Sequence, residues 1–472
     1  MLDPINNLIQ IKIQKIEKEI LLNIDVPNTH KIRKNDLDSK HIIYLLANKI
    51  KSNYYENPLF DFLLNKFDIN QKIYSHYTKT GKKNSNELIT NNDLKIFFLL
   101  IYHFLLILFI RNEKITKQLR LLNVFSKIDV NDINPFHNND DKLIIKKIKK
   151  NIFESLFKKN SKNKPIGQIN LPFNHKQGKS EFQQIPITVL FYEGPTARSY
   201  LETLYSLKLK PTKIIKLIFT NNLKNNNFLN ILPIFFKKKY SNFLQTNRIY
   251  FWPNYFYRIK NELCQDIFSE LTKKLNFDRS IFDQTIKLSP LSKYCENVDE
   301  ILIESLNDIN LYKKITSDIN YFFLFTGGGL LPKKYFVLPK KKIFHIHPGF
   351  LPEIRGADCF FWSLAIKGRP SASFFIMNEK IDEGDIINTN YLPSINLPKA
   401  LLKLDIKSAY RVIYSFIDPW IRSYTLRHTL LKTNFLKEIK FTKQLKNEGT
   451  TYHFMEDSLK KLTLKYYNAK KE

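Results

Sequence analysis

Seven of the twelve glycines in this 472-residue chain fall between Gly327 and Gly384. A sequence that otherwise uses so little glycine keeps it where the backbone needs a positive φ, or where a ligand must come close to the main chain. Gly327, Gly328 and Gly329 follow the strand-like run YFFLF at 321–325. Gly349 and Gly356 follow a second run, IFHIH at 343–347, and Gly368 and Gly384 bracket a third, SFFIM at 373–377. Ligands of open α/β sheets bind in the turns that follow successive parallel strands. Residues 327–385 are therefore where an active site is expected.

The chain upstream supports a sheet of that kind. ITVLFY (187–192) is apolar and β-branched. EGPTARSYLETLYSL (193–207) then reads as a Gly-Pro turn and a helix capped at Thr196, and KIIKLIF (213–219) as a second strand. Strand, turn, helix, turn, strand is a βαβ unit with parallel strands. Residues 1–165 read as helical, with stretches such as NNLIQIKIQKIEKEILL (6–22) carrying apolar residues at three- and four-residue spacing. Residues 166–185 are polar, with Pro, Gly and Asn, and read as a linker. The expected organisation is a helical N-terminal region (1–165), that linker, an α/β domain (186–395) and a mostly helical C-terminal extension (396–472).

The 43% hydrophobic content is that of a folded protein. A net charge of +31 ordinarily points to nucleic acid or an anionic membrane. Here the excess is mostly Lys, spread through a chain rich in Ile, Asn, Phe and Tyr, so no single basic stripe stands out. The Lys-dense stretch 142–164 reads as a solvated helix face running into the linker, with an acidic partner as the alternative. Cys264, Cys295 and Cys359 are odd in number and form no CxxC pair. They suggest neither a disulfide framework nor a zinc site, and a reducing, cytoplasmic setting is expected. Lys12, Lys15 and Lys18 break the first apolar run, so no secretory signal is expected. IFFLLIYHFLLILFI (96–110) is shorter than the roughly 20 residues that cross a bilayer. It reads as a buried core helix, with a membrane-surface or partner-binding helix as the alternative.

Two kinds of titratable group meet in the glycine-rich stretch. His345 and His347 are two residues apart on a strand, so both side chains point to one face. Asp382 lies in KIDEGDII, a loop between two strand-like runs. A histidine and a carboxylate at neighbouring strand ends make an acid/base or charge-stabilising pair. The same three side chains offer a rival chemistry, as ligands of zinc or iron. Phe360, Phe361 and Trp362 read as the buried face of a helix.

HIHPGFLPEIRGADCFFWSLAIKGRPSASFFIMNEKIDEGDII resembles the core of the folate-dependent formyltransferases. That family includes glycinamide ribonucleotide formyltransferase, methionyl-tRNA formyltransferase and the sugar N-formyltransferases. Its signature is Asn-x-His-Pro-Ser-Leu-Leu-Pro, then an Arg-Gly, then an Asp-x-Gly. His347 matches the catalytic His, and Pro348, Leu351 and Pro352 match the turn after it. Arg355-Gly356 matches the Arg-Gly, and Asp382-Glu383-Gly384 matches the Asp-x-Gly, 35 residues after His347. FTGGGLLPKKYFVLP and VLFYEGPTARSYLETL are similar to the strand and loop before the catalytic strand and to the first strand and turn.

The resemblance implies a Rossmann-like domain with a parallel-rich sheet, 10-formyltetrahydrofolate as formyl donor, a primary amine as acceptor, and no metal. Backbone near Gly329, Leu330 and Leu331, and near Asn378, Ile381 and Asp382, would hold the pterin. His347 would stabilise the oxyanion. Asp382 would orient His347, raise its pKa and hold a proton-relaying water. The departure is His345, where the family has an Asn that donates to the formyl oxygen; an imidazole can donate from a similar position. Gly349 replaces the family's Ser, and reads as neutral after a turn proline. The tRNA enzymes carry a β-barrel after the catalytic domain, whereas this C-terminal stretch reads helical. The expected acceptor is therefore a small or nucleotide- or carrier-linked amine, an amino sugar first, with nucleic acid disfavoured. The alternatives are a folate- or nucleotide-binding scaffold without turnover, using 96–110 at a membrane surface or partner, and a methionyl-tRNA formyltransferase-like enzyme. The sequence assigns no oligomeric state.

Overall fold

The structure is a computed structural model describing residues 4–22, isolated positions between 43 and 64, and residues 91–127, 139–162, 181–220, 233–445 and 448–469. The chain divides into two units, 1–160 with 453–462, and 161–452 with 463–472.

The first unit is helical among its described residues: α1 (Pro4–Leu22), α2 (Asn91–Ile110), α3 (Ile115–Lys127) and α4 (Asn139–Lys162). A helix apolar on every side must be enclosed, and every side chain of α2 from Ile96 to Leu106 is buried. The two polar residues that interrupt it each have a partner. Tyr102 OH donates to Asp141 Oδ1 at 2.9 Å, and Lys12 Nζ reaches the other oxygen of that carboxylate at 2.9 Å. His103 Nε2 meets Glu17 Oε1 at 2.9 Å. Residues 96–110 are thus a core helix, and the face that a membrane-surface role would need is enclosed. No described helix is long and apolar enough to cross a membrane.

The second unit is α/β. Its main sheet has seven strands, β1 (Gln183–Phe191), β2 (Leu209–Phe219), β3 (Val298–Ile303), β4 (Phe322–Phe325), β5 (Lys342–His347), β7 (Ser371–Ile376) and β8 (Ile386–Tyr391), in the order β3-β2-β1-β4-β5-β7-β8. The pairings from β3 to β5 are parallel, and β5/β7 and β7/β8 are antiparallel. This is the Rossmann-like, parallel-rich sheet that the sequence suggested. The linker expected over 166–185 lies outside the described residues up to position 180, and β1 begins at Gln183. Between β1 and β2, α5 (Pro195–Ser206) completes the βαβ unit; its cap is Gly194, with Pro195 in the first turn, rather than Thr196.

Three helices that the sequence reading did not resolve lie between β2 and β3: α6 (Ile234–Ile259), α7 (Asn261–Leu275) and α8 (Ser280–Lys287). A short helix, α9 (Ile309–Thr316), links β3 to β4. After β5 come β6 (Ile354–Gly356) and α10 (Cys359–Lys367), which buries Phe360, Phe361 and Trp362. Beyond β8 the chain is mainly helical: α11 (Lys399–Leu402), α12 (Ile406–Val412), a π turn at Ile413–Ile417 and α13 (Asp418–Lys432). β9 (Thr450–Tyr452) then pairs parallel with β6, and α14 (Asp457–Ala469) is shared between the units.

Candidate active site

β5 outruns its neighbour. Its ladder with β4 ends at the pair Leu324–Phe344, so His345, Ile346 and His347 are paired only with β7. Side chains replace the missing rungs. His345 Nδ1 lies 3.0 Å from the Phe325 carbonyl, and Arg422 Nη1, from α13, donates to the Ile346 carbonyl at 3.1 Å. Arg422 is held in turn by Asp418, Nε to Oδ2 at 2.8 Å, and this carboxylate is almost fully buried. The sequence reading missed Arg422. Its only local signal was an acid and a base four residues apart behind a Pro.

His347 is buried, with Nδ1 3.3 Å from Asp382 Oδ2 and Nε2 3.0 Å from the Ile354 carbonyl. Both neighbours are acceptors, so only the doubly protonated ring satisfies both. Burial nonetheless pushes the His347 pKa below its ordinary value; the Asp382 charge acts upward, and the Arg422 charge adds to the fall. The upward pull expected of Asp382 exists, but desolvation outweighs it. His345 is half-buried between the rings of Phe325 and Phe375, with centroids 6.0 and 6.1 Å away. Burial first, then Arg422, push its pKa down to about 4.

Asp382 has a positive φ of 55°, in the loop between β7 and β8. Its Oδ2 accepts the Gly356 N–H at 2.9 Å. Gln444 closes the arrangement, donating from Nε2 to the carbonyls of Asp382 (2.9 Å) and Gly384 (2.6 Å), and accepting at Oε1 from Arg355 Nε (3.0 Å) and Nη2 (2.8 Å). The Arg355-Gly356 and Asp382-Glu383-Gly384 stretches are thereby brought together. Gln444 was also missed; nothing near it in sequence sets it apart.

Gly349 is not a neutral replacement in this chain. A Cβ there would lie 2.6 Å from His347 Nε2 and collide with the Ile354 carbonyl, the group that faces that nitrogen. His347 therefore keeps its place in part because residue 349 has no side chain.

The two loops expected to hold the pterin lie side by side, since Lys333 Nζ is 2.8 Å from Glu379 Oε2. Gly329 has φ +101°, and nothing lies within 4 Å of a Cβ built on Gly328. Leu331 is buried, but Leu330 and Ile381 are 68% and 44% exposed, leaving apolar surface uncovered on each loop. Asn378 closes its own turn by accepting from the Lys380 N–H at 2.9 Å. Next to Phe325 and Gly328, a cavity of about 440 Å³ is lined by Tyr192, Phe219 and, from α6, Gln245 and Arg248. Among the described residues no three His, Cys, Asp or Glu side chains are arranged to hold a metal. His347 and Asp382 face each other and main-chain groups rather than a common centre.

No protein-family model matches the chain. Among curated proteins, the methionyl-tRNA formyltransferase of Prochlorococcus marinus subsp. pastoris is 27% identical over 219 residues, 42% of this chain and 64% of that protein. The methionyl-tRNA formyltransferase of Natranaerobius thermophilus is 34% identical over 95 residues, 19% of this chain and 30% of that protein. Over these stretches the chain is similar in sequence to methionyl-tRNA formyltransferases. It spans less than two thirds of the curated relatives it matches. Similar solved structures include a 4-N formyltransferase from Francisella tularensis (13% identity, 57% of this chain and 76% of that one, TM-score 0.30) and a sugar N-formyltransferase from a Shewanella species (12% identity, 59% and 87%, TM-score 0.29).

Proposed function

We propose that this formyltransferase relative moves a formyl group from 10-formyltetrahydrofolate to a primary amine. The observation that carries the reading is the buried His347–Asp382 pair, locked to the Gly356 amide at the end of the strand that outruns its neighbour. The bridged loops fit a flat, partly apolar ring: their exposed Leu330 and Ile381 await a cover, and the open backbone at Gly328 allows close approach. Gly329, Leu330 and Leu331 on one loop, and Asn378, Ile381 and Asp382 on the other, are assigned to the pterin. The folate supplies only the formyl group. His347, turning its Nε2–H from the Ile354 carbonyl to the substrate, stabilises the negative charge that develops on the formyl oxygen, a term on the order of 10²–10³ in rate for one such donor. Asp382 orients the His347 ring and holds a water beside it.

The acceptor we put first is the amine of a nucleotide-linked amino sugar. It is supported by the helical course of residues 399–432, where a tRNA enzyme of the family carries a barrel. A second reading, methionyl-tRNA, is favoured by the two sequence relatives and by α6. That helix forms one wall of the cavity, carries five basic and no acidic residues, and leaves Phe236, Tyr240, Phe243, Phe251 and Tyr255 exposed. Aromatic platforms among cations are how single-stranded nucleic acid is held. Tetrahydrofolate release measured against amino-sugar nucleotides, amino acids and methionyl-tRNA separates the two readings. Release with none of them, from a protein that binds folate, would support a scaffold without turnover.

A further inference from the structure

We infer that His345 takes a proton from the acceptor amine, rather than donating a hydrogen bond to the formyl oxygen as an asparagine would. The inference rests on the formyl-transfer reading and assigns this side chain the opposite hydrogen-bonding sense. The Phe325 carbonyl has no proton to give, so its 3.0 Å contact fixes a hydrogen on His345 Nδ1. A neutral imidazole carries one N–H, which leaves a lone pair on Nε2. That nitrogen has no hydrogen-bond partner among the described residues, and the residue is only partly buried.

The surroundings keep the ring neutral. Arg422 from α13 and His347 on the same strand disfavour a second proton, Asp382 from the β7–β8 loop favours one, and burial outweighs them all, leaving the pKa at about 4. An amide cannot imitate this, because its NH₂ group only donates and its carbonyl oxygen, though it accepts a hydrogen bond, is far too weak a base to take the proton.

The proton balance closes on His345 alone. As the amine nitrogen bonds to the formyl carbon it must lose one proton. As the bond from that carbon to the folate nitrogen breaks, the folate nitrogen must gain one. Nε2 accepts the first proton, and the resulting imidazolium, a comparatively strong acid, releases it to the second nitrogen. His345 ends neutral, and one proton has moved from acceptor to donor.

Two measurements on the full chain test this. Long-range ¹H–¹⁵N spectra of histidine-labelled protein without ligand should show His345 as the Nδ1–H tautomer at neutral pH, titrating well below an ordinary histidine. In turnover, His345→Asn and His345→Gln should each lower kcat by about 10²-fold or more with folate affinity unchanged, and added imidazole should restore part of the rate to His345→Ala. An Nε2–H tautomer, or His345→Asn turning over as fast as the native protein, overturns the assignment. A native protein that binds folate yet transfers nothing overturns the formyl-transfer reading and this role with it.

Discussion

Histidines that are buried beside an arginine make folding sensitive to acid. His345 and His428 are both pushed from an ordinary 6.5 down to about 4, by burial first and then by Arg422 and Arg427 respectively. Both folded-state values are depressed, so the stabilisation is complete above about pH 6.5. Below that the unfolded chain binds protons first, and stability falls through the window down to about pH 4. The thermal midpoint should therefore drop between these limits, and less steeply in His345→Asn; identical slopes would show that His345 contributes nothing to the acid sensitivity. Arg422→Met should raise the His345 and His347 titrations, since the guanidinium lowers both, and ¹⁵N chemical shifts would read the change. At this scale His347 and Asp382 were legible in the sequence because turn residues and spacing mark them. Arg422 and Gln444 were not. They act on main-chain carbonyls 76 and 62 residues away in sequence, and no local pattern records such a contact.

At the scale of elements, the end of β5 depends on close approach. Gly349→Ser would force the Ile354 carbonyl and the His347 ring apart, which should cost about 1–3 kcal/mol, as overpacking does. Denaturant unfolding would measure it, and a change within error would show that the turn yields freely. Gln444→Ala should loosen the Asp382–Gly384 loop, raising the KM for folate more than it lowers kcat. The strands with alternating or continuous apolar residues were readable. β3 was not, because Asp299 and Glu300 sit in its middle; Lys213 lies 3.2 Å from Asp299 and Lys216 lies 3.1 Å from Glu300, on β2. Cross-strand ion pairs made a strand of a segment that looks like a loop.

The whole chain is two units, and both are discontinuous in sequence. Asn123 on α3 donates to the Phe454 carbonyl at 3.2 Å and accepts the Glu456 N–H at 2.7 Å, tying 453–462 to the N-terminal helices. Asn123→Ala should speed hydrogen exchange at 453–462 without weakening folate binding by the α/β unit. No sequence pattern announced this tie, which joins positions 331 residues apart. The apolar run at 96–110 shows the same limit in reverse: its partners Glu17 and Asp141 come from distant helices and decide that it is core. Formyl transfer by the α/β unit is read out most plainly by tetrahydrofolate release from 10-formyltetrahydrofolate in the presence of amine acceptors, native chain beside Asp382→Asn. Release should depend on the acceptor and fall by about 10²-fold or more in the variant, while folate, held by the main chain of the loop, still binds. Equal rates in the two proteins, or no release from a native chain that binds folate, would contradict that expectation.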